Sequence, residues 1–169
     1  MTDMSFRPAG LAFADGDAEH LVVEGLRRWI AGYQTGSIAC WELAWNLYAA
    51  KLGVARARPV MTGLGCYARA LNGYAKCGFC LLPYDCGRRC PHEALAVGVV
   101  AAWQCGDRDA ASGLVEELVV SPGLPATLEA AAHFADTLRR VDLTLPNALL
   151  RPSVSTLPAR THSTAETRH

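Results

Sequence analysis

Cys77, Cys80, Cys86 and Cys90 fall within fourteen residues in the pattern C-x2-C-x5-C-x3-C. Four thiolates are the ligand set of a closed tetrahedral zinc site or of an iron–sulfur cluster, so this stretch carries the most chemistry in the chain. The count suits either group, but the spacing is that of neither common pattern. Zinc ribbons separate their two CxxC pairs by roughly 15–20 residues, and bacterial ferredoxins use C-x2-C-x2-C-x3-C. Gly78 and Gly87 supply the permissive backbone that a short loop needs to wrap one ion. His92 follows directly and offers a second ligand set, three cysteines and one histidine. Glu93 reads instead as an acidic residue decorating the first turn of the next helix, at its positive end.

The charge around the cluster favours an anionic centre. Residues 51–90 hold seven basic side chains against Asp85 alone, a net of +6, whereas zinc bound by four thiolates carries −2. The same field lowers thiol pKa values, and Cys90 at a helix N-terminus gains a further push toward thiolate. Without metal, Cys77-x2-Cys80 or Cys86-x3-Cys90 would form a reversible dithiol switch, the redox alternative. A thioredoxin-like arrangement is excluded, because no βαβ pattern surrounds the CxxC.

Other chemistry finds little support. Gly63-x-Gly65 lacks the preceding strand and third glycine of a dinucleotide fingerprint, and there is no Walker-type, G-x-S-x-G, H-E-x-x-H or paired Glu-x-x-His motif. His20 and His133 read as surface or hydrogen-bonded structural residues. Trp29, Tyr33, Trp41, Trp45 and Tyr48 recur at helical spacing and read as a core seam. Cys40, Cys66 and Cys105, each inside a helical stretch, read as small core hydrophobes, Cys66 and Cys105 being the nearer to the loop.

These residues must be positioned by helices. From Asp17, taken as an N-cap, Val22, Leu26, Trp29, Ile30 and Tyr33 share one face. A second helix starts near Thr35 or Ser37, carries Ile38, Trp41, Trp45, Tyr48 and Leu52 as a stripe and stops at Gly53, giving an antiparallel hairpin with the first. Pro59 opens a third helix, with Val60, Leu64, Tyr67, Leu71 and Tyr74 on one face. Residues 77–90 form an irregular loop. Cys90 and Pro91 open a fourth helix that ends at Gly106; Asp107 or Asp109 caps a fifth; and the SPGLP segment at 121–125 breaks it before a sixth that begins at Pro125. No alternating strand pattern and no repeat appears, so the expected fold is all-α, a bundle of five to six helices with the cysteine loop between helices three and four.

Length and composition agree. At 169 residues with 51% hydrophobic and 19% charged side chains, the chain has material for one core, which places a single helical domain at 17–149 between a flexible arm (1–16) and a disordered tail (150–169). Sixteen basic and sixteen acidic residues give no global pull toward nucleic acid or an anionic membrane. The charge is divided, however: residues 91–142 carry eight acidic side chains against three arginines, a net of −5. This acidic half is expected to attract the basic middle within the fold; an anionic partner such as nucleic acid is the weaker reading. The longest apolar run, Ala94–Trp103, is ten residues, half of a membrane span, and the N-terminus lacks the charged start and apolar stretch of an export signal. A reducing cytoplasm follows, where clustered thiols mean metal or redox chemistry more often than disulfides.

The expected function is therefore a small cytoplasmic metal-binding protein of a regulatory or accessory kind. Cys77, Cys80, Cys86 and Cys90, with His92 as an alternative ligand, hold zinc or an iron–sulfur cluster, and a protein is the expected partner. A zinc ion held by four thiolates has no open coordination position, so catalysis is not expected there. The competing readings are a thiol redox sensor and a metal-free helical interaction module.

Overall fold

Asp17 and Glu19 place negative charge in the first turn of α1 (Asp17–Thr35), where it favours the unpaired N–H groups, and Gly36 closes the helix in the left-handed region at φ 69°. The cap itself is Gly16, and Asp17 is the first helical residue. In this computed structural model residues 16–147 are described; the arm expected over 1–16, save Gly16, and the tail expected over 150–169 lie outside them. Leu21, Val22, Leu26 and Ile30 are buried along α1, as their helical spacing requires.

A two-residue turn leads to α2 (Ile38–Leu52). The Trp41 indole N–H donates to the Trp29 carbonyl at 3.0 Å, and the Tyr48 hydroxyl donates to the Leu21 carbonyl at 2.9 Å. Rising numbers on one helix meet falling numbers on the other, so the two form the antiparallel hairpin. Gly25 makes that crossing close: a Cβ there would overlap the Tyr48 hydroxyl and come within 2.9 Å of a Leu64 methyl. Ile38 points outward, 66% exposed. Tyr48 is wholly buried, but Trp29, Tyr33, Trp41 and Trp45 are half-buried, so the expected aromatic seam is a partly open wall rather than core.

α3 runs Val54–Tyr74, five residues earlier than the start expected at Pro59. Ala55, Arg56, Ala57 and Arg58 are strong helix formers, and Ala57 is buried. The single N–H missing at the exposed Pro59 does not outweigh them. α3 packs against α6 (Leu124–Arg139) through Gly63, where a Cβ would lie 3.1 Å from the Phe134 Cα, and through the Tyr67–Phe134 ring pair at 6.1 Å. The Tyr67 hydroxyl reaches the Ala96 carbonyl of α4 (Pro91–Cys105) at 2.9 Å. Asp107, not Asp109, caps α5 (Arg108–Leu118), accepting the Ala110 N–H at 2.9 Å. A 3-10 turn at Ser121–Gly123 then feeds α6.

Over the described residues the fold is an all-α bundle of six helices around one apolar core, with no strand, only an isolated antiparallel bridge between Ala75 and Val119. Of the helical cysteines, Cys66 and Cys105 are exposed and Cys40 is half-buried, so the expectation that they are core hydrophobes fails. Cys66 sits on the outward stripe of α3, and Cys105 sits at the last residue of α4 with its thiol 2.7 Å from the Asn147 side-chain oxygen.

Gly25→Ala is expected to cost about 1–3 kcal/mol in urea denaturation, since the added methyl meets a buried, hydrogen-bonded tyrosine. Gly73→Ala, in α3 with nothing within 4 Å of the new Cβ, is expected to stabilise by about 0.5–1 kcal/mol. Equal effects at the two glycines would contradict the close α1–α2 crossing.

Candidate functional site

The loop from Ala75 to Cys90 has little core of its own; Phe79 is its one deeply buried apolar side chain ahead of Cys90. Its backbone polar groups are instead satisfied by side chains of the helices. The central one is Arg27 of α1, fully buried. Its Nε donates to Glu93 Oε1 at 2.8 Å and its Nη2 to Glu93 Oε2 at 3.0 Å, a two-pronged pair. Nη2 also donates to the Arg88 carbonyl at 2.6 Å, while Nη1 donates to Glu24 Oε1 at 2.7 Å and to the Cys86 carbonyl at 2.9 Å. All five guanidinium N–H groups are thereby used.

The two carboxylates extend this frame. Glu93 accepts the Leu82 N–H at 2.9 Å and the Cys90 N–H at 3.0 Å, the latter closing a capping box on α4. Glu24, also fully buried, accepts the Asp85 N–H at 3.0 Å and pairs with Arg28, whose guanidinium lies 4.6 Å from the centre of the Tyr84 ring. Five backbone groups between Leu82 and Cys90 are thus held by Arg27, Glu24 and Glu93. Glu93 is therefore no mere decoration of the first helical turn: a capping residue that also faces Arg27 becomes buried.

Charge sets the protonation of this frame. Burial alone would push the Glu24 carboxyl up, but hydrogen bonds from Arg28, the Asp85 N–H and Arg27 outweigh it and hold the group below its usual range. Glu93 is likewise raised by burial and lowered further by Arg27 and the Leu82 and Cys90 N–H groups, with a net lowering. Two carboxylates and two guanidinium groups leave the buried group neutral in sum.

The first half of the loop is tied differently. Gln34 donates to the Phe79 carbonyl at 2.7 Å, and His92 Nδ1 accepts the Cys80 N–H at 2.9 Å, its ring 5.4 Å from that of Phe79. A neutral imidazole that accepts at Nδ1 carries its proton on Nε2, so Nδ1 is committed to the loop backbone in this arrangement.

Cys77 and Cys80 are exposed, Cys86 is half-buried and Cys90 is buried, and all four are free thiols. The Cys90 thiol donates to the Cys80 carbonyl at 3.1 Å, which brings these two residues together. Burial pushes its pKa up, so in this arrangement it is a protonated thiol despite its place at a helix N-terminus. Cys86 opens on a small cavity of about 230 Å³ that His20, Arg88 and Arg89 also line. Among the described residues, the one group of three or more ligand-type side chains with donor atoms within 4.8 Å of one another is His20, Glu24 and Asp85. The loop cysteines and His92 do not form such a group. The Glu24 oxygens are already taken by Arg27, Arg28 and the Asp85 N–H, so His20, Glu24 and Asp85 need no cation to balance them.

Sequence reasoning missed Arg27 altogether, although Glu24, Arg27 and Arg28 stand at the i, i+3 and i+4 spacing of a helical ion-pair group on a helix otherwise read as core. It also missed Cys40. The hydrogen bond from Tyr84 lowers the Cys40 pKa against the opposing effect of burial, and Thr35 and Ser37 add to it. Burial and the neighbouring thiol push Tyr84 up to about 12.

No protein family model, curated protein or solved structure matches the chain, so no role is carried over from another protein.

Arg27→Ala is expected to cost about 3–5 kcal/mol, because it leaves two buried carboxylates without their cation. It should also speed reaction of the Cys86 and Cys90 thiols with a disulfide reagent. Stability carried by Glu24 and Glu93 is fully present above the unfolded carboxyl value of about 4.3 and is lost as pH falls through their lower folded values. Denaturation midpoints should therefore drop below about pH 4.3, and Glu93→Gln should flatten that drop. An unchanged acid limb in Glu93→Gln would contradict the buried pairing.

Proposed function

We propose that the chain is a small metal-binding protein of an accessory or regulatory kind, in which Cys77, Cys80, Cys86 and Cys90 hold a zinc ion or an iron–sulfur cluster. The observation that carries this reading is the way the cysteine loop is held. Four free thiols ride on one irregular segment, and its backbone is fixed by Arg27, Glu24 and Glu93 rather than by pairing among the cysteines. Soft thiolates suit zinc and iron–sulfur chemistry, and Lys76 and Arg88 supply positive charge beside a centre of net negative charge. Four cysteines are preferred over a set that includes His92, because the Nδ1 of that ring already accepts the Cys80 N–H. Cys86 and Cys90 lie on the half of the loop held by Arg27, Glu24 and Glu93; Cys77 and Cys80 are the exposed thiols, on the half held by Gln34 and His92. Binding must remove the proton that burial holds on Cys90, so affinity falls as pH falls. A protein is the partner in keeping with such a role.

A second reading rests on the approach of Cys90 to Cys80. Here the two thiols are oxidised to a disulfide, passing two electrons and two protons to a peroxide, which leaves as water. The chain would then act as a redox sensor.

Elemental analysis with an absorbance spectrum of anaerobically purified, untagged protein tests the first reading. The expected result is either one zinc per chain with no visible band, or iron and sulfide with one, and in each case loss of metal and of stability in Cys86→Ser/Cys90→Ser. Protein that holds neither metal, even after reconstitution, would overturn it. Peroxide-dependent loss of two thiols that Cys80→Ser abolishes would then support the second.

A further inference from the structure

The half-buried aromatic side chains of α1 and α2 and the facing side of α3 border an open, shallow groove of about 540 Å³, within the volume range of small-ligand sites. Trp29 and Tyr33 of α1, Trp45 of α2 and Met61, Gly65 and Cys66 of α3 line it. The wall is held in place before any ligand arrives. Trp41 packs on both Trp29 (ring centres 6.0 Å apart) and Tyr33 (5.3 Å, edge-on) while its N–H is spent on the Trp29 carbonyl. Gly65 lets the Trp29 ring lie against α3, since a Cβ there would stand 2.8 Å from the indole Cζ2.

The groove is positively charged without compensation. Arg58 and Arg69 both line it, and no acidic residue does. They are eleven residues apart, close to three helical turns, so they return to one face of α3. Arg27, Arg28, Arg56, Arg89, Arg139 and Arg140 all pair with carboxylates, whereas among the described residues Arg58 and Arg69, like Arg88 and Arg108 elsewhere on the surface, make no ion pair. An exposed guanidinium beside an aromatic wall is the residue type that takes a carboxylate, sulfonate or phosphate in a two-pronged bond. Arg69 also borders a second cleft of about 750 Å³ toward α6, with Tyr74, Glu129 and His133, so the acidic Glu129 lies on that side and not in the groove.

We propose that this groove binds an amphipathic organic anion, its apolar or aromatic body against Trp29 and Trp45 and its anionic group on Arg58 or Arg69. The site is separate from the cysteine loop. Trp29 is two residues beyond Arg27, about 200° around α1, so the helix presents the groove on the side opposite its ion-pair frame. The preference comes from both parts of the groove: a neutral apolar compound leaves the arginines unmatched, and a small inorganic anion leaves the aromatic wall unused.

Fluorescence titration with anilinonaphthalene sulfonate, an aromatic body bearing one anionic group, tests this on the full chain. Wild-type protein is expected to bind one probe saturably, and Arg58→Ala/Arg69→Ala to bind it roughly tenfold more weakly with an unchanged circular dichroism spectrum. N-phenylnaphthylamine, which lacks the sulfonate, should bind weakly and with no difference between the two proteins. Arg108→Ala, away from the groove, should behave as wild type. Undiminished sulfonate binding in the double variant, equal affinity for the neutral probe, or no saturable binding at all would each overturn the proposal.

Discussion

The second half of the cysteine loop, from Leu82 to Cys90, depends on one buried guanidinium. Arg27 has no exposed surface, yet it sits among backbone carbonyls and two carboxylates that together accept all five of its N–H groups. A buried charge is tolerated only on such terms, since desolvating it costs several kcal/mol and only complete pairing returns that energy. An apolar side chain of similar size would fill the space as well. It would not reach the Cys86 and Arg88 carbonyls, and the loop would lose its shape without the bundle losing its core. The arrangement therefore serves the loop's conformation more than the stability of the helices.

The frame also couples elements far apart in the chain. Glu93 is at once the capping partner of Cys90, the acceptor for Leu82 and the counter-ion of Arg27, so the start of α4, the middle of the loop and the centre of α1 share one carboxylate. Glu24 repeats the device one turn earlier on α1 by holding Asp85, whose backbone takes φ 58°, a left-handed value that aspartate adopts more readily than most residues. The divided charge of the sequence is resolved mainly through this first helix. Arg89 of the basic loop pairs with Glu19 of α1, and Glu93 of the acidic half pairs with Arg27 of α1; only Arg56 to Asp142 joins the two regions directly.

Helix periodicity was legible because burial enforces it. The stripes through Leu26 and Ile30, Tyr48 and Leu52, and Leu64, Tyr67 and Leu71 are all core, and the stops at Gly53 and Gly106 lie where they are expected. The start of α3 was misjudged because Pro59 was weighed as a local signal, whereas the Ala-Arg run before it pays little to continue a helix. The cysteine loop was legible as an irregular segment, but its geometry was not. That geometry comes from contacts between α1 and residues about sixty positions later, and no local pattern records which arginine turns inward. Cys66 misled for a related reason, since a cysteine on a helix looks the same on the buried and the outward stripe until its neighbours are known.

The two sides of α1 finish with opposite electrostatic outcomes. On the loop side every buried charge meets its partner, and the group is neutral and closed. On the groove side the same helix contributes aromatic rings, and the arginines facing them from α3 meet no carboxylate among the described residues. A fold that neutralises the cations it buries but leaves two exposed ones over an aromatic wall has no internal use for them in stability, because exposed guanidinium groups with no partner contribute almost nothing to it. Their charge is available to something that comes to the groove from outside it. The aromatic surface between them limits that something to a molecule with an apolar body as well as a negative end.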